Sequence, residues 1–304
     1  MPLVVRDPVH AGPTDPTVIR HRATGEWWMY YTQRRAGLDC SGAEWVHGTD
    51  IGIAVSADEG RTWGHRGIAE GLEHRPGRMT YWAPEVLADG AGGYHMYVTC
   101  LAGVRSSWVG DAQVRHYASA DLLRWEFRSV LDLGSDRVID AAVHPLPGGA
   151  GWRMWFKDER DDSHLHTAHS RDLYTWTRTA PAATDQSQEG PTVFRPAGVY
   201  WMVTDNWKGL SVYRSADLDT WTREPYQLLA EEPEGHHAMA LEQGDAAAVL
   251  WYFTADEDDP AGRRSVVRAT RLEVQGGRLT CAPETPVAPL AAGLTPAWRG
   301  GTAG

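Results

Sequence analysis

Four stretches of the chain share one ending: SADEGRTW (Ser56–Trp63), SADLLRW (Ser119–Trp125), SRDLYTW (Ser170–Trp176) and SADLDTW (Ser215–Trp221). In each, an Asp stands two residues after a Ser, and a Trp follows four or five positions later. Ser and Asp suit a tight turn, because their side-chain oxygens bond nearby backbone N–H groups. The Trp is then expected to pack between neighbouring units. Upstream of each turn lies an aromatic segment: EWWMYYT (26–32), GYHMYVT (93–99), GWRMWFK (151–157) and VYWMVTD (199–205). A Met sits inside all four. A weaker fifth copy runs from HAMALEQG (237–244) through AVLWYFTAD (248–256) to SVVRATRLEV (265–274).

Helical periodicity is almost absent, and alternating β-branched and aromatic residues with Gly turns recur throughout. Five units of four short strands, at intervals of roughly 45–60 residues, predict an all-β, five-bladed β-propeller. The whole chain, 1–304, reads as one domain, with blades at about 14–67, 81–130, 138–180, 187–225 and 236–281. The N-terminal segment or the tail Pro283–Gly304 is expected to close the ring. An open two-sheet sandwich is the architectural alternative, but a repeat of this length has no natural place in one.

Composition narrows the function. A formal charge of −11 with no Lys/Arg run argues against a nucleic-acid binder. No apolar run approaches the ~20 residues of a membrane span. Cys40, Cys100 and Cys281 have neither disulfide nor zinc-finger spacing. The first residues, MPLVVRDPVHAG, do not read as a signal peptide, so a cytoplasmic protein is expected. The chain has 15 Trp against 4 Phe, which suits stacking on sugars as well as packing between repeats.

In a propeller the first strand of each blade lines the central channel, and ligands bind at its mouth. Those strands align as TDPTVI (14–19), WAPEVL (82–87), IDAAVH (139–144), EGPTVF (189–194) and HHAMAL (236–241). One column then holds Asp15, Ala83, Asp140, Gly190 and His237; the column before it holds Thr14, Trp82, Ile139, Glu189 and His236. Glu85, two residues beyond Ala83, is expected on the same strand face. Carboxylates and an imidazole would thus converge on one pocket. Like charges sharing a site repel, so such a cluster points to function.

These residues resemble glycoside hydrolase family 43, in the clan of arabinanases, arabinofuranosidases and β-xylosidases. The resemblance rests on the Asp-Pro of TDPTVI, the Trp-Ala-Pro-Glu of YWAPEV, the Ile-Asp of VIDAAV, the Glu-Gly-Pro of QEGPTVF and the Gly-His-His of EGHHAMA. It covers about residues 14–281. It implies a glycoside hydrolase with Asp15 as general base, Glu189 as general acid, and Asp140 orienting the acid and raising its pKa. It also implies a histidine near the channel centre, His237 or His236, next to a metal or water. No cofactor is required; Ca or another divalent ion in the channel is compatible. The chain departs from the family's pattern at Ala141, at Glu85 and in the long insertion 34–50.

The partner implied is an oligosaccharide. Trp82, Glu85, His237, Arg34 and Trp207 are candidate sugar contacts, with Trp28, Trp45 and Trp108 as further stacking faces. Arg34, Arg35 and His47 could close over a terminal sugar, which favours exo action. Arg263 and Arg264 read as a substrate contact or a solvated loop. Acid and base on blades 4 and 1 favour inversion. The sugar stays open among arabinofuranose, xylose, galactofuranose and anhydro-galactose. Two alternatives stand beside this reading: a sialidase-like enzyme, because SADEGRTW fits the Ser-x-Asp-x-Gly-x-Thr-Trp box, and a non-catalytic carbohydrate-binding propeller.

Overall fold

In the computed structural model, residues 3–290 are described, apart from 74–76, 245–246, 260, 284 and 288. The four repeated endings form hydrogen-bonded turns. Ser119 Oγ accepts from the N–H of Asp121 and Leu122, and Asp121 Oδ1 accepts from Leu123 and Arg124. The same bonds recur at Ser170/Asp172 and Ser215/Asp217. Each of the three shorter turns carries a left-handed Leu, with φ of 62° at Leu122, 65° at Leu173 and 68° at Leu218. The longer first turn places Gly60 N–H on Ser56 and Thr62 N–H on Asp58.

A short N-terminal strand, β1 (Val4–Val5), precedes five antiparallel sheets. Blade 1 contains β2 (Pro13–Arg20), β3 (Trp27–Gln33), β4 (Asp50–Ser56) and β5 (Gly64–Ile68). Blade 2 contains β6 (Met79–Ala88), β7 (Tyr94–Ala102), β8 (Gln113–Ser119) and β9 (Glu126–Val130). Blade 3 contains β10 (Val138–Pro145), β11 (Trp152–Asp158), β12 (His164–Ser170) and β13 (Thr177–Arg178). Blade 4 contains β14 (Glu189–Phe194), β15 (Tyr200–Asp205), β16 (Leu210–Ser215) and β17 (Thr222–Leu228). Blade 5 contains β18 (His236–Gln243), β19 (Ala247–Ala255), β20 (Ser265–Gln275) and β21 (Arg278–Cys281). The first strands contact one another in a closed ring, β2–β6–β10–β14–β18 and back to β2. This is a five-bladed β-propeller.

The second strands hold the blades together. Met29, Met96, Met154 and Met202 are fully buried. Each turn Trp meets an aromatic ring of the preceding blade edge-on, as ring quadrupoles prefer. Trp125 meets Tyr30 at 5.9 Å, Trp176 meets Tyr97 at 5.5 Å and Trp221 meets Trp155 at 6.1 Å. Trp63 of blade 1 meets Trp251 of blade 5 at 5.4 Å, so the same lock closes the ring. The carbonyls of the left-handed leucines reinforce it. Leu122 O accepts from Tyr30, Leu173 O from Tyr97 and Leu218 O from Arg153.

Closure uses the N-terminal segment. β1 and β21 share the edge of β20 that faces away from β19. From the tail, Val287 and Leu290 enter the core between blades 5 and 1, and Leu290 N–H bonds Glu59 O at 2.7 Å. The rest of the expected closing tail, 291–304, lies outside the described residues.

Blade 2 buries a histidine pair, His95 and His116. Their rings stack with centroids 5.0 Å apart, and Nδ1 of His95 lies 2.8 Å from Nε2 of His116. Burial pushes both below the ordinary imidazole value, His116 to about 3, with the His95 charge adding to the effect. Below about pH 6.5 this pair therefore binds more protons in the unfolded chain than in the folded one. Stability from His116 should be complete above that pH and fall as pH drops toward about 3. The expected loss is about 2 kcal/mol by pH 5. Urea midpoints between pH 7.5 and 4.5 should fall more steeply in wild type than in His116→Gln; equal slopes would exclude the pair as the source.

Candidate active site

The five inner strands share one irregularity. Their pairing register slips between Thr14 and Thr17, Trp82 and Glu85, Ile139 and Ala142, Glu189 and Thr192, and His236 and Met239. The residue after each slip begins has positive φ: 52° at Asp15, 48° at Ala83, 60° at Asp140, 53° at Gly190 and 29° at His237. These are the five members of the aligned column. A left-handed backbone is costly for any residue but Gly, and four of the five are not Gly. Bulges of this kind re-aim side chains next to functional sites.

The bulged N–H groups turn to the neighbouring blade. Ala83 N–H bonds Thr32 Oγ1 at 2.8 Å, Asp140 N–H bonds Thr99 Oγ1 at 3.0 Å, and His237 N–H bonds Asp205 Oδ2 at 3.1 Å. Thr32, Thr99 and Asp205 stand at one position near the end of the second strand of the preceding blade, opposite Thr14, Trp82 and Glu189. Blade 3 has Lys157 there, opposite Ile139. An ammonium cannot accept a hydrogen bond. Gly190 N–H bonds Asp140 Oδ2 instead, at 3.2 Å, and Lys157 Nζ is left to pair with Glu189 Oε2 at 2.8 Å.

These side chains line a pocket of about 450 Å³ at the channel mouth. Asp15 is 6% exposed. Burial works against its charge, but His237, Arg34 and the hydroxyls of Thr32 and Thr14 outweigh it and hold the carboxyl below its usual range. His237 Nδ1 lies 3.6 Å from Asp15 Oδ1 and 3.9 Å from Asp140 Oδ2. Burial opposes its protonation, yet Asp15, Asp140, Glu189 and Asp205 raise it above the ordinary imidazole value. Asp140 is pushed up to about 7, first by burial, with Glu189 and Asp15 adding and His237 and Lys157 opposing. Glu189 is also held by Trp207, whose Nε1 donates to Oε1 at 3.0 Å.

Asp15, Asp140, Glu189, His237, His236, Arg34, Trp82, Trp108 and Trp207 therefore share one pocket. Other expectations are corrected. Asp140 was expected to be the charged partner that raises Glu189; buried, it is itself the carboxyl shifted toward neutral. Glu85 lies deeper in the channel and accepts from Val143 N–H at 3.1 Å. The bulge between Trp82 and Glu85 breaks the two-residue alternation on which that expectation stood. Trp28 is 3% exposed in the core between blades 1 and 2. Trp45 stands edge-on to Trp108, away from the pocket lining. Arg35 bonds the carbonyls of His47 and Glu44, and buried His47 bonds Ser107 O. Both brace the insertion instead of closing over a ligand. Arg263 is half-buried and its guanidinium bonds the carbonyls of Leu38 and Cys40, while Arg264 is exposed, as a solvated loop requires.

The two histidines face different partners. His236 Nδ1 faces Asp205 Oδ2 at 3.1 Å, whereas His237 faces Asp15 and Asp140. Among the described residues no three His, Cys, Asp or Glu side chains are grouped to hold an ion. His237 stands between the carboxyl groups of Asp15 and Asp140, which favour its protonation. Sequence reasoning missed Lys157 and Asp205, although both occupy the last position of quoted aromatic segments, where blades 1 and 2 have Thr.

No family model matches the sequence, and no curated protein matches it. Solved structures do. A thermostable family-43 glycoside hydrolase shares 18% identity at a TM-score of 0.68, over 91% of this chain and 95% of that one. A family-43 enzyme from Xanthomonas citri, complexed with xylose, shares 14% at 0.69, over 92% and 93%. An exo-β-1,3-galactanase from Phanerochaete chrysosporium, with β-1,3-galactotriose, shares 11% at 0.70, over 92% of this chain and 65% of that one. The chain has the five-bladed propeller fold of the family-43 glycoside hydrolases.

Proposed function

We propose that this protein is a glycoside hydrolase that cleaves an oligosaccharide with inversion, Asp15 acting as general base and Glu189 as general acid. One observation carries the reading: two carboxyls with opposite surroundings face the same pocket. Asp15 is kept ionised by His237 and Arg34, which suits a group that must take a proton from water. Glu189 lies beside Asp140, a buried carboxyl shifted to about 7. A carboxyl shifted that far can hold a proton near neutral pH, next to the group that must protonate the leaving oxygen.

The His237 ring supports inversion. It lies against Gly190 on one side and 3.6 Å from Asp15 on the other, so an imidazole separates base from acid. That argues for the wider carboxyl spacing of about 6.5–9.5 Å, which admits a water, over the ~5 Å of retaining enzymes. Trp207 and Lys157 orient Glu189; Trp82, Trp108 and Phe253 supply apolar walls for a sugar ring. Named neighbours were solved with xylose and galactotriose, and a neutral sugar of that kind suits this pocket.

The test is a panel of arabinofuranosides, xylosides and galactosides as aryl glycosides and oligosaccharides. Sugar release, with the first-formed product of opposite anomeric configuration by proton NMR, is expected. Absence of hydrolysis across the panel, or a Glu189→Ala protein that keeps full activity, would sink the proposal. A product of unchanged configuration would sink the inverting mechanism alone.

A further inference from the structure

The chain contains two lysines, Lys157 and Lys208, against 27 arginines. One of the two is 4% exposed at the pocket wall. Its Nζ lies 2.8 Å from Glu189 Oε2 and 3.4 Å from Glu159 Oε1, with the Trp207 ring 5.2 Å away. A compact ammonium fits between two carboxylates and an indole face, whereas a planar guanidinium would need a wider slot. We propose that Lys157 is a positioning residue for Glu189, which fixes that carboxyl toward the pocket and sets the pH above which the site no longer holds its transferable proton. The inference rests on the hydrolase reading.

Glu189 is the first residue of β14 and, among the described residues, its side chain bonds two others, Lys157 from β11 and Trp207 from the loop after β15. One grips each oxygen. Without Lys157 the carboxylate keeps a single tether and can rotate about it. The other titratable and charged groups of the pocket come from several strands: Asp140 on β10, Asp15 on β2, His236 and His237 on β18, with Asp205 on β15, Arg34 after β3 and Glu159 beyond β11. Burial opposes the Lys157 charge, but Glu189, Asp140 and Glu159 raise its pKa, so it stays cationic across the working range. Lys157 also lowers Asp140, against burial. A fixed cation thus bears on both Glu189, by contact, and Asp140, by charge.

The experiment compares wild type with Lys157→Met and Lys157→Arg. Met keeps the apolar stem and removes the charge. On a disaccharide, the alkaline limb of kcat/KM should move up by about one pH unit in Lys157→Met. The matching 2,4-dinitrophenyl glycoside, whose leaving group needs no proton, should show no such limb in either protein. Lys157→Arg should keep the wild-type limb but lower kcat, since charge is retained and fit is lost. Carboxyl carbon-13 NMR of the Asp140 and Glu189 pair gives a readout without turnover, and its titration should shift upward in Lys157→Met. Identical pH limbs and titrations in wild type and Lys157→Met overturn the proposal. A shifted titration in a protein that hydrolyses no glycoside supports the role of Lys157 and rejects the hydrolase reading.

Discussion

Glu189→Gln should slow hydrolysis of an unactivated glycoside by about 10³-fold, while a dinitrophenyl glycoside of the same sugar loses little. Glutamine keeps an oxygen for the Trp207 N–H, so the side chain stays in place. It cannot deliver a proton, and it leaves Lys157 with Glu159 alone at 3.4 Å. Asp15→Asn should cost a similar factor, but no leaving group rescues it, because activation of water is lost in every case. It also removes the nearer of the two carboxylates beside His237, leaving Asp140 Oδ2 at 3.9 Å. Steady-state rates for both variants on both substrates decide the assignment. Rescue of Asp15→Asn by the activated substrate would exchange the two roles.

Gly190→Ala should be nearly as damaging without touching a carboxyl. A Cβ at Gly190 would lie 2.8 Å from Cγ and Nδ1 of His237, and its φ is 53°. The left-handed backbone costs a non-Gly residue about 1–2 kcal/mol. The imidazole, fixed between Gly190 and Asp15, must move, and a displacement of about 1 Å at a reacting centre costs about 10²-fold. The matched control is Ala83→Gly, in the same column of blade 2. There φ is already 48°, so Gly should stabilise by up to about 1 kcal/mol and leave activity unchanged. Thermal melts and rates on the pair check this; a Gly190→Ala protein with wild-type rates would show that the His237 position is not critical.

The column at Asp15, Ala83, Asp140, Gly190 and His237 was legible because the repeat gives five aligned copies of one strand. The turn tryptophans were legible for the same reason. Trp28 was misplaced because Trp is as common in a core as at a sugar site, and only its neighbours between blades 1 and 2 decide which. Glu85 was misplaced because strand alternation holds only in a regular ladder, and the bulge lies between Trp82 and Glu85. Lys157 went unseen because a lysine near a strand end reads as a solvated edge. Its significance depends on which group the neighbouring blade presents, and that is a tertiary fact.

The repeated bulge also bears on how such a molecule could acquire new chemistry. Every blade offers the same socket: a left-handed residue at the channel mouth whose conformational cost is already met by the ring. Two sockets hold carboxylates, one an imidazole, one a bare Gly and one the methyl of Ala83. Exchanging the occupants alters the reagent set without redesigning a backbone, and the Ala83 socket is the vacancy into which a further acid, base or ligand-binding group can be written by a single codon.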